Sequence, residues 1–288
     1  MSENKNGISD YITYPLEFDK YTKFKPLFVI ILTVIFFLIF TAIIFVIGGI
    51  LFGEPFIYSL TGNYESLNTI NLGSLFSFVI IALILPSLFI ANKIVGYRPF
   101  SSYASSREGW NWKLYFKCML LSLGIYVIFT IISTLVNPNI KFNNQFTVLT
   151  FIAFLIIIPL QCIAEEFAFR GVLMQALGSW IKIPVGAIII QAIIFGLCHS
   201  YSLTGVVTII ISGLLLGFIA WKSNGLETSS AIHSVNNLFS IMTAGFGLSQ
   251  LSSNVSLVDS FSDIALSLVC VGLIYYIGNR YNWFSESS

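Results

Sequence analysis

The stretch FIAFLIIIPLQCIAEEFAFR, residues 151–170, begins as an uncharged apolar run and then places three ionisable residues close together. A helix needs about 20 mostly apolar residues to cross a bilayer, so the run predicts a membrane helix. Ionisable groups in such a helix cost roughly 2.5–3.5 kcal/mol each on insertion scales, which makes Glu165, Glu166 and Arg170 candidate functional residues. The alternative interpretation is that they only cap the cytoplasmic end of this span.

The composition extends this interpretation to the whole chain. Of its 288 residues, 56% are hydrophobic and 9% are charged, whereas soluble domains carry about 25% charged residues. Candidate spans cover residues 27–52, 72–95, 114–136, 147–164, 183–198, 203–221, 229–244 and 264–277. The fourth can continue as helix to Leu177, and the fifth and seventh are short and polar for spans. The predicted fold is an all-α polytopic membrane bundle of about eight transmembrane helices.

Lysine and arginine lie almost entirely in every other loop between the predicted spans, so they fall on one side of the membrane. This bias indicates the orientation of the chain. The positions on one side are Lys5, Lys20, Lys23, Lys25, Lys93, Arg98, Arg107, Lys113, Arg170, Lys182, Lys222 and Arg280. Only Lys141 lies on the other side, so we expect both termini to be cytoplasmic, most simply at a bacterial plasma membrane. The net charge of +1 indicates no nucleic acid partner. Gly213 and Gly217 permit a close helix contact.

Helical spacing separates the two glutamates. Glu166 and Arg170 are four residues apart, so they share a face and can form an ion pair. Glu165 is rotated by about 100° from Glu166 and has no partner in its own helix. The stretch therefore supplies one neutralised pair and one spare carboxylate.

Both histidines of the chain also fall in apolar segments. His199 ends FGLCHS, and His233 lies in AIHSVNN with Asn237 four residues later on the same helical face. A single histidine in a span is more often a packing residue, but two such histidines and a stacked asparagine are poorly explained by chance. We expect His199, His233 and Asn237 to share a cavity with Glu165.

Three motifs in order resemble a known family. EEFAFR fits EExxxR, FGLCH fits FxxxH and HSVNN fits HxxxN, as in the CAAX-protease and bacteriocin-processing (CPBP or Abi) family of intramembrane endopeptidases. The resemblance covers about residues 147–245, which form the expected catalytic core. Residues 1–26 are an expected cytoplasmic segment, 27–146 are helices without a matching motif, and 246–288 are a loop and a last helix.

The resemblance implies hydrolysis of a peptide bond in a membrane-associated peptide or protein. By position, Glu165 would be the general base that activates water, and His199 would hold or polarise that water. His233 and Asn237 would donate to the oxyanion, while Glu166 and Arg170 would support the site. An apolar setting suits a carboxylate base and strengthens oxyanion donors. A peptide pheromone, a bacteriocin or a membrane protein is a more plausible substrate than a prenylated CAAX protein, which comes from the family name.

Zinc is the main alternative for the chemistry. Glu165, His199 and His233 could ligate the ion and leave a position for water. The chain has no HExxH motif, and Arg170 competes for Glu166, the carboxylate that would then have to be the base. What is known of the family also favours a glutamate mechanism, so we expect no cofactor.

Other functions are weaker. A non-catalytic bacteriocin-immunity or scaffold protein would need no intact catalytic set, and a transporter would show interrupted helices in corresponding halves. Cys162 and Cys198 lie near the motifs without an electropositive setting for a thiolate. We expect no disulfide framework among Cys118, Cys162, Cys198 and Cys270.

The predicted depths of the site residues conflict. Glu165 and His233 would lie near the cytoplasmic side, whereas His199 lies about 24 Å along the fifth span. Convergence requires that the fourth span continue as helix to about Leu177 and that the fifth span tilt or begin outside the bilayer.

Overall fold

A computed structural model describes residues 10–53, 72–107, 109–136 and 142–285. Over these residues the backbone is mainly helical, with one isolated antiparallel bridge between Ser105 and Gly225. The helices are α1 (Lys25–Phe52), α2 (Leu72–Ala82), α3 (Ile84–Val95), α4 (Ser101–Ala104), α5 (Trp112–Val136), α6 (Val148–Glu166), a π-helical segment (Phe167–Met174), α7 (Gln175–Ile181), α8 (Pro184–Leu197), α9 (Leu203–Lys222), α10 (Glu227–Gly245) and α11 (Leu257–Arg280).

The architecture confirms a polytopic helical membrane protein. Within the described residues, six helices are long and apolar enough to cross a bilayer: Lys25–Phe52, Ser74–Val95, Trp112–Val136, Val148–Ile181, Leu203–Lys222 and Leu257–Arg280. The fifth and seventh predicted spans correspond to α8, an apolar helix of 14 residues, and to α10, a more polar helix of 19 residues. The predicted count of eight is therefore approximate.

A proline explains an interruption in the second predicted span. The helix is broken at Leu83, between α2 and α3. Pro86 has no N–H to donate to the carbonyl of Ala82, four residues earlier, and its ring crowds that carbonyl. The regular helix consequently restarts after Leu83, where Ser87 donates its N–H to the Leu83 carbonyl at 3.1 Å.

The fourth predicted span continues well beyond residue 164. Val148–Ile181 is a 34-residue helix, referred to below as the long helix. Thr147 and Thr150 form a capping box at its start. Directly after the two glutamates the helix widens into π geometry, a form that is frequent at functional sites. A Cβ atom at Gly171 in this segment would lie 3.0 Å from the Tyr103 carbonyl oxygen, so a glycine permits this close contact.

The polar helix α10 lies at the centre of the bundle. It packs against α5, α6, α9 and α11, and each of its first nine residues, from Glu227 to Val235, is buried. Glu227 pairs with Arg107 at 2.8 Å, and Tyr115 of α5 lies 3.1 Å from Ser234. Neighbouring helices therefore satisfy polar groups that lipid could not.

The N-terminal segment packs against the bundle. Tyr11 and Ile12 are fully buried, and a Cβ atom at Gly178 would clash with the Ile12 side chain. Burial raises the pKa of the Tyr11 phenol well above its usual value. The hydroxyl consequently stays protonated and donates to the Tyr103 carbonyl at 2.6 Å.

The orientation of the chain can be tested by labelling the loop between α10 and α11. The predicted extracytoplasmic loops are residues 53–71, which except for Gly53 lie outside the described residues, and residues 246–260. In a Cys198→Ser background, we expect Gln250→Cys to react with an impermeant maleimide from outside intact cells, and Lys20→Cys to react only after permeabilisation. The opposite pattern would reverse the predicted orientation.

Candidate active site

A close contact between α8 and α9 prepares the site. A Cβ atom at Gly217 would lie 2.7 Å from Gln191 Nε2, and one at Gly213 would lie 3.2 Å from the Ala192 backbone. The two glycines therefore allow the close helix approach that their spacing predicts. This approach places the Gly213 carbonyl where it accepts a hydrogen bond from Gln191 Nε2 at 3.0 Å.

The same carbonyl helps to hold Arg170. The guanidinium donates from Nη1 to Glu166 Oε1 at 2.8 Å and from Nη2 to the Gly213 carbonyl at 3.4 Å. It also lies over the Phe195 ring, 4.3 Å from the centroid. Both charged side chains are fully buried, so they depend on each other for charge compensation. The structure thus contains the ion pair that the helical spacing predicts.

His233 lies between the two glutamates. Its Nδ1 atom is 3.0 Å from Glu166 Oε1, and its Nε2 atom is 3.5 Å from Glu165 Oε2. An ionised carboxylate can only accept, so Nδ1 must carry the proton shared with Glu166. This contact fixes the orientation of the imidazole and directs Nε2 towards Glu165. Helical spacing does not predict this contact, because it pairs Glu166 only with Arg170.

Asn237 lies one turn beyond His233, as predicted. Its Nδ2 atom is 3.4 Å from His233 Nε2 and donates to Gln161 Oε1 at 3.4 Å. The neighbouring Asn236 donates to Asn237 Oδ1 at 3.4 Å. These contacts direct the Asn237 carbonyl oxygen away from the imidazole. They direct the N–H groups of the same amide towards the site.

His199 is connected to the other residues through Phe195. Nδ1 of His199 is 2.8 Å from the Phe195 carbonyl, and the two rings are 4.8 Å apart. The Phe195 ring is in turn 6.1 Å from the His233 ring. Among the described residues, no hydrogen bond or ion pair joins His199 to Glu165. The structure therefore brings Glu165, His233 and Asn237 into contact and leaves His199 half-buried beside them.

Two residues of the site were not predicted. Gln161 is a buried polar residue four positions before Glu165, and Phe195 is the first residue of FGLCH, four positions before His199. Helical spacing from a known candidate could have found both, because residues four apart share a face.

A crevice between α9, α10 and α11 also reaches His233. It is lined by Ser212, Leu215, Leu216, Ile232, His233, Asn236, Ser267 and Val271. Half of these residues are polar. A polar lining can support ordered water, which an apolar cavity cannot.

The donor atoms do not fit a three-ligand zinc site in this arrangement. Glu165 and His233 are neighbours, and His199 packs edge-on against Phe195. Glu166 is engaged by both Arg170 and His233. Within the described residues, no group of three or more His, Cys, Asp or Glu side chains could hold a metal ion.

Comparisons with known proteins cover this region. Residues 146–239, which include the site from Gln161 to Asn237, match the family model described as "Type II CAAX prenyl endopeptidase Rce1-like". The chain is also 27% identical over 218 residues to "Uncharacterized protein YyaK" of Bacillus subtilis (strain 168), covering 68% of this chain and 73% of that protein. No solved structure matches. The comparisons confirm the resemblance predicted from the motifs: residues 146–239 are similar to the Rce1-like type II CAAX prenyl endopeptidases.

Proposed function

We propose that the protein is an intramembrane endopeptidase in which Glu165 activates the water that hydrolyses a peptide bond. The observation that carries the proposal is that the two adjacent glutamates have different contacts. Glu166 is engaged by Arg170 and His233, whereas Glu165 has no cationic partner in its helix and faces His233 Nε2 at 3.5 Å. A carboxylate without such a partner remains available to accept a proton from water.

The remaining residues fit the other steps of the reaction. Glu165 accepts a proton from water while the water oxygen attacks the peptide carbonyl. The resulting oxyanion accepts hydrogen bonds from the Asn237 amide and from His233 when its Nε2 carries a proton. Glu165 then returns its proton to the leaving nitrogen as the C–N bond breaks. His199 does not touch Glu165 directly. It holds the attacking water between its own imidazole and the Glu165 carboxylate.

The substrate proposed is a membrane-associated peptide or protein. The family description names a CAAX prenyl endopeptidase, and the apolar bundle can receive a lipid-linked peptide from the bilayer. Peptide pheromones, bacteriocins and membrane proteins meet the same requirement without a prenyl group. A pair of internally quenched peptides, one ending in a farnesylated CAAX sequence and one unprenylated, separates these classes.

The proposal predicts cleavage that survives chelation. We expect purified protein in detergent micelles to cleave at least one of the two quenched peptides at an unchanged rate after prolonged treatment with 1,10-phenanthroline. Thermal unfolding of the treated sample controls for loss of the fold. Reversible loss of cleavage with restoration by Zn²⁺ would support a metalloprotease instead.

A second outcome would contradict an endopeptidase function of either mechanism. If neither peptide is cleaved and the membrane peptidome of cells is the same with wild type and Glu165→Ala, the protein does not act as an endopeptidase. A binding role such as bacteriocin immunity would then be favoured.

A further inference from the structure

Gln161 is a polar side chain buried in the apolar part of α6. It is only 2% exposed, and it lies one helical turn before Glu165 on the same face. A buried amide in a membrane span is costly unless it has partners. Its position between Pro159 and the two glutamates therefore requires a reason.

The contacts of Gln161 lead to Asn237. Oε1 of Gln161 accepts from Asn237 Nδ2 at 3.4 Å and from Cys162 Sγ at 3.3 Å. This contact joins α6 to α10 at the level of the site, and α6 and α10 pack directly against each other. We propose that Gln161 is a positioning residue that orients the Asn237 amide towards the oxyanion, an inference that rests on the proposed function.

Gln161 can orient the Asn237 side chain because an amide group has a hydrogen-bond acceptor, the oxygen, and a donor, the NH₂ group. Rotating the Asn237 amide by 180° would direct its oxygen at Gln161 Oε1, which can only accept. Two facing acceptors repel, so Gln161 favours the rotamer in which Asn237 presents N–H groups to the site. The neutral amide of Gln161 provides this acceptor without adding a third carboxylate beside Glu165 and Glu166.

A double-mutant cycle separates positioning from general stability. Gln161→Met keeps the length of the side chain and removes the acceptor. We expect kcat to fall about 10-fold, less than the roughly 10²–10³-fold loss on removing an oxyanion donor itself, with KM within about twofold of wild type. Asn237→Ala should lower kcat further, and Gln161→Met should have little additional effect in the Asn237→Ala background.

Gln175→Met is the matched control. It makes the same chemical change in the buried part of α7, where Gln175 accepts a hydrogen bond from Arg98 and not from Asn237. Its effect on kcat, whatever its size, should combine additively with Asn237→Ala. The cycle is measured with whichever quenched peptide the wild type cleaves.

The outcomes distinguish this inference from the proposed function. Additive effects of Gln161→Met and Asn237→Ala, or a Gln161→Met enzyme with wild-type kcat, would reject the positioning role while the protease assignment stands. An increase in KM alone would also reject it. A wild-type protein without peptidase activity would reject both.

Discussion

Glu165→Gln is expected to lower kcat by at least about 10²–10⁴-fold, the range typical of general-base catalysis. The amide keeps the shape of the side chain but cannot accept a proton from water. Glu165 makes no ion pair with an arginine or lysine among the described residues, so folding and insertion should be preserved. Cleavage of the quenched peptide and the thermal unfolding midpoint in detergent measure the two effects separately.

Glu17→Gln, the same change on an exposed side chain of the N-terminal segment, is the control for this prediction. A Glu165→Gln protein that retains wild-type kcat would overturn the assignment of the base. A folded protein that loses a bound metal together with its activity would identify Glu165 as a ligand.

Glu166→Gln should cause a different defect. It leaves Arg170 buried without its countercharge, and breaking a buried pair costs about 3–5 kcal/mol of stability. It also weakens the acceptor that holds His233 Nδ1 at 3.0 Å, so the protein that does fold should be impaired in kcat. Thermal unfolding and peptide cleavage are measured on the same preparation.

The double variant Glu166→Gln/Arg170→Met tests this explanation. Removing both charges should restore much of the stability, because no uncompensated buried charge remains. It should not restore kcat, since the charged acceptor of His233 is still missing. If Glu166→Gln is instead stable and inactive, and chelation reversibly abolishes wild-type activity, Glu166 is the base and Glu165 a zinc ligand.

Sequence patterns were sufficient to predict features that depend on composition and contacts that lie within one helix. The apolar segments predicted the membrane bundle, and spacing of four residues predicted the pair of Glu166 with Arg170 and the stacking of Asn237 on His233. The continuation of the fourth span to about Leu177 was one of the two conditions set for convergence of the site. The structure contains that continuation as the long helix.

Contacts between helices could not be predicted in the same way. The bond between Glu166 and His233 joins residues 67 positions apart, and that between Gln161 and Asn237 joins residues 76 positions apart. Their formation depends on how α6 and α10 rotate about their axes, which periodicity does not specify. Residues 72–95 were predicted as one uninterrupted span, and the break at Leu83 that accompanies Pro86 was missed.

The central position of α10 has a consequence for biogenesis. A segment with so many polar side chains partitions poorly into lipid by itself, because polar groups at the bilayer centre oppose insertion by the translocon. Three of the helices that surround it, α5, α6 and α9, precede it in the chain. They emerge from the ribosome first and can receive α10 directly into a protein environment. His233 and Asn237 therefore join Glu165 late in synthesis, so the nascent chain has no complete catalytic centre until most of the protein is already in the membrane.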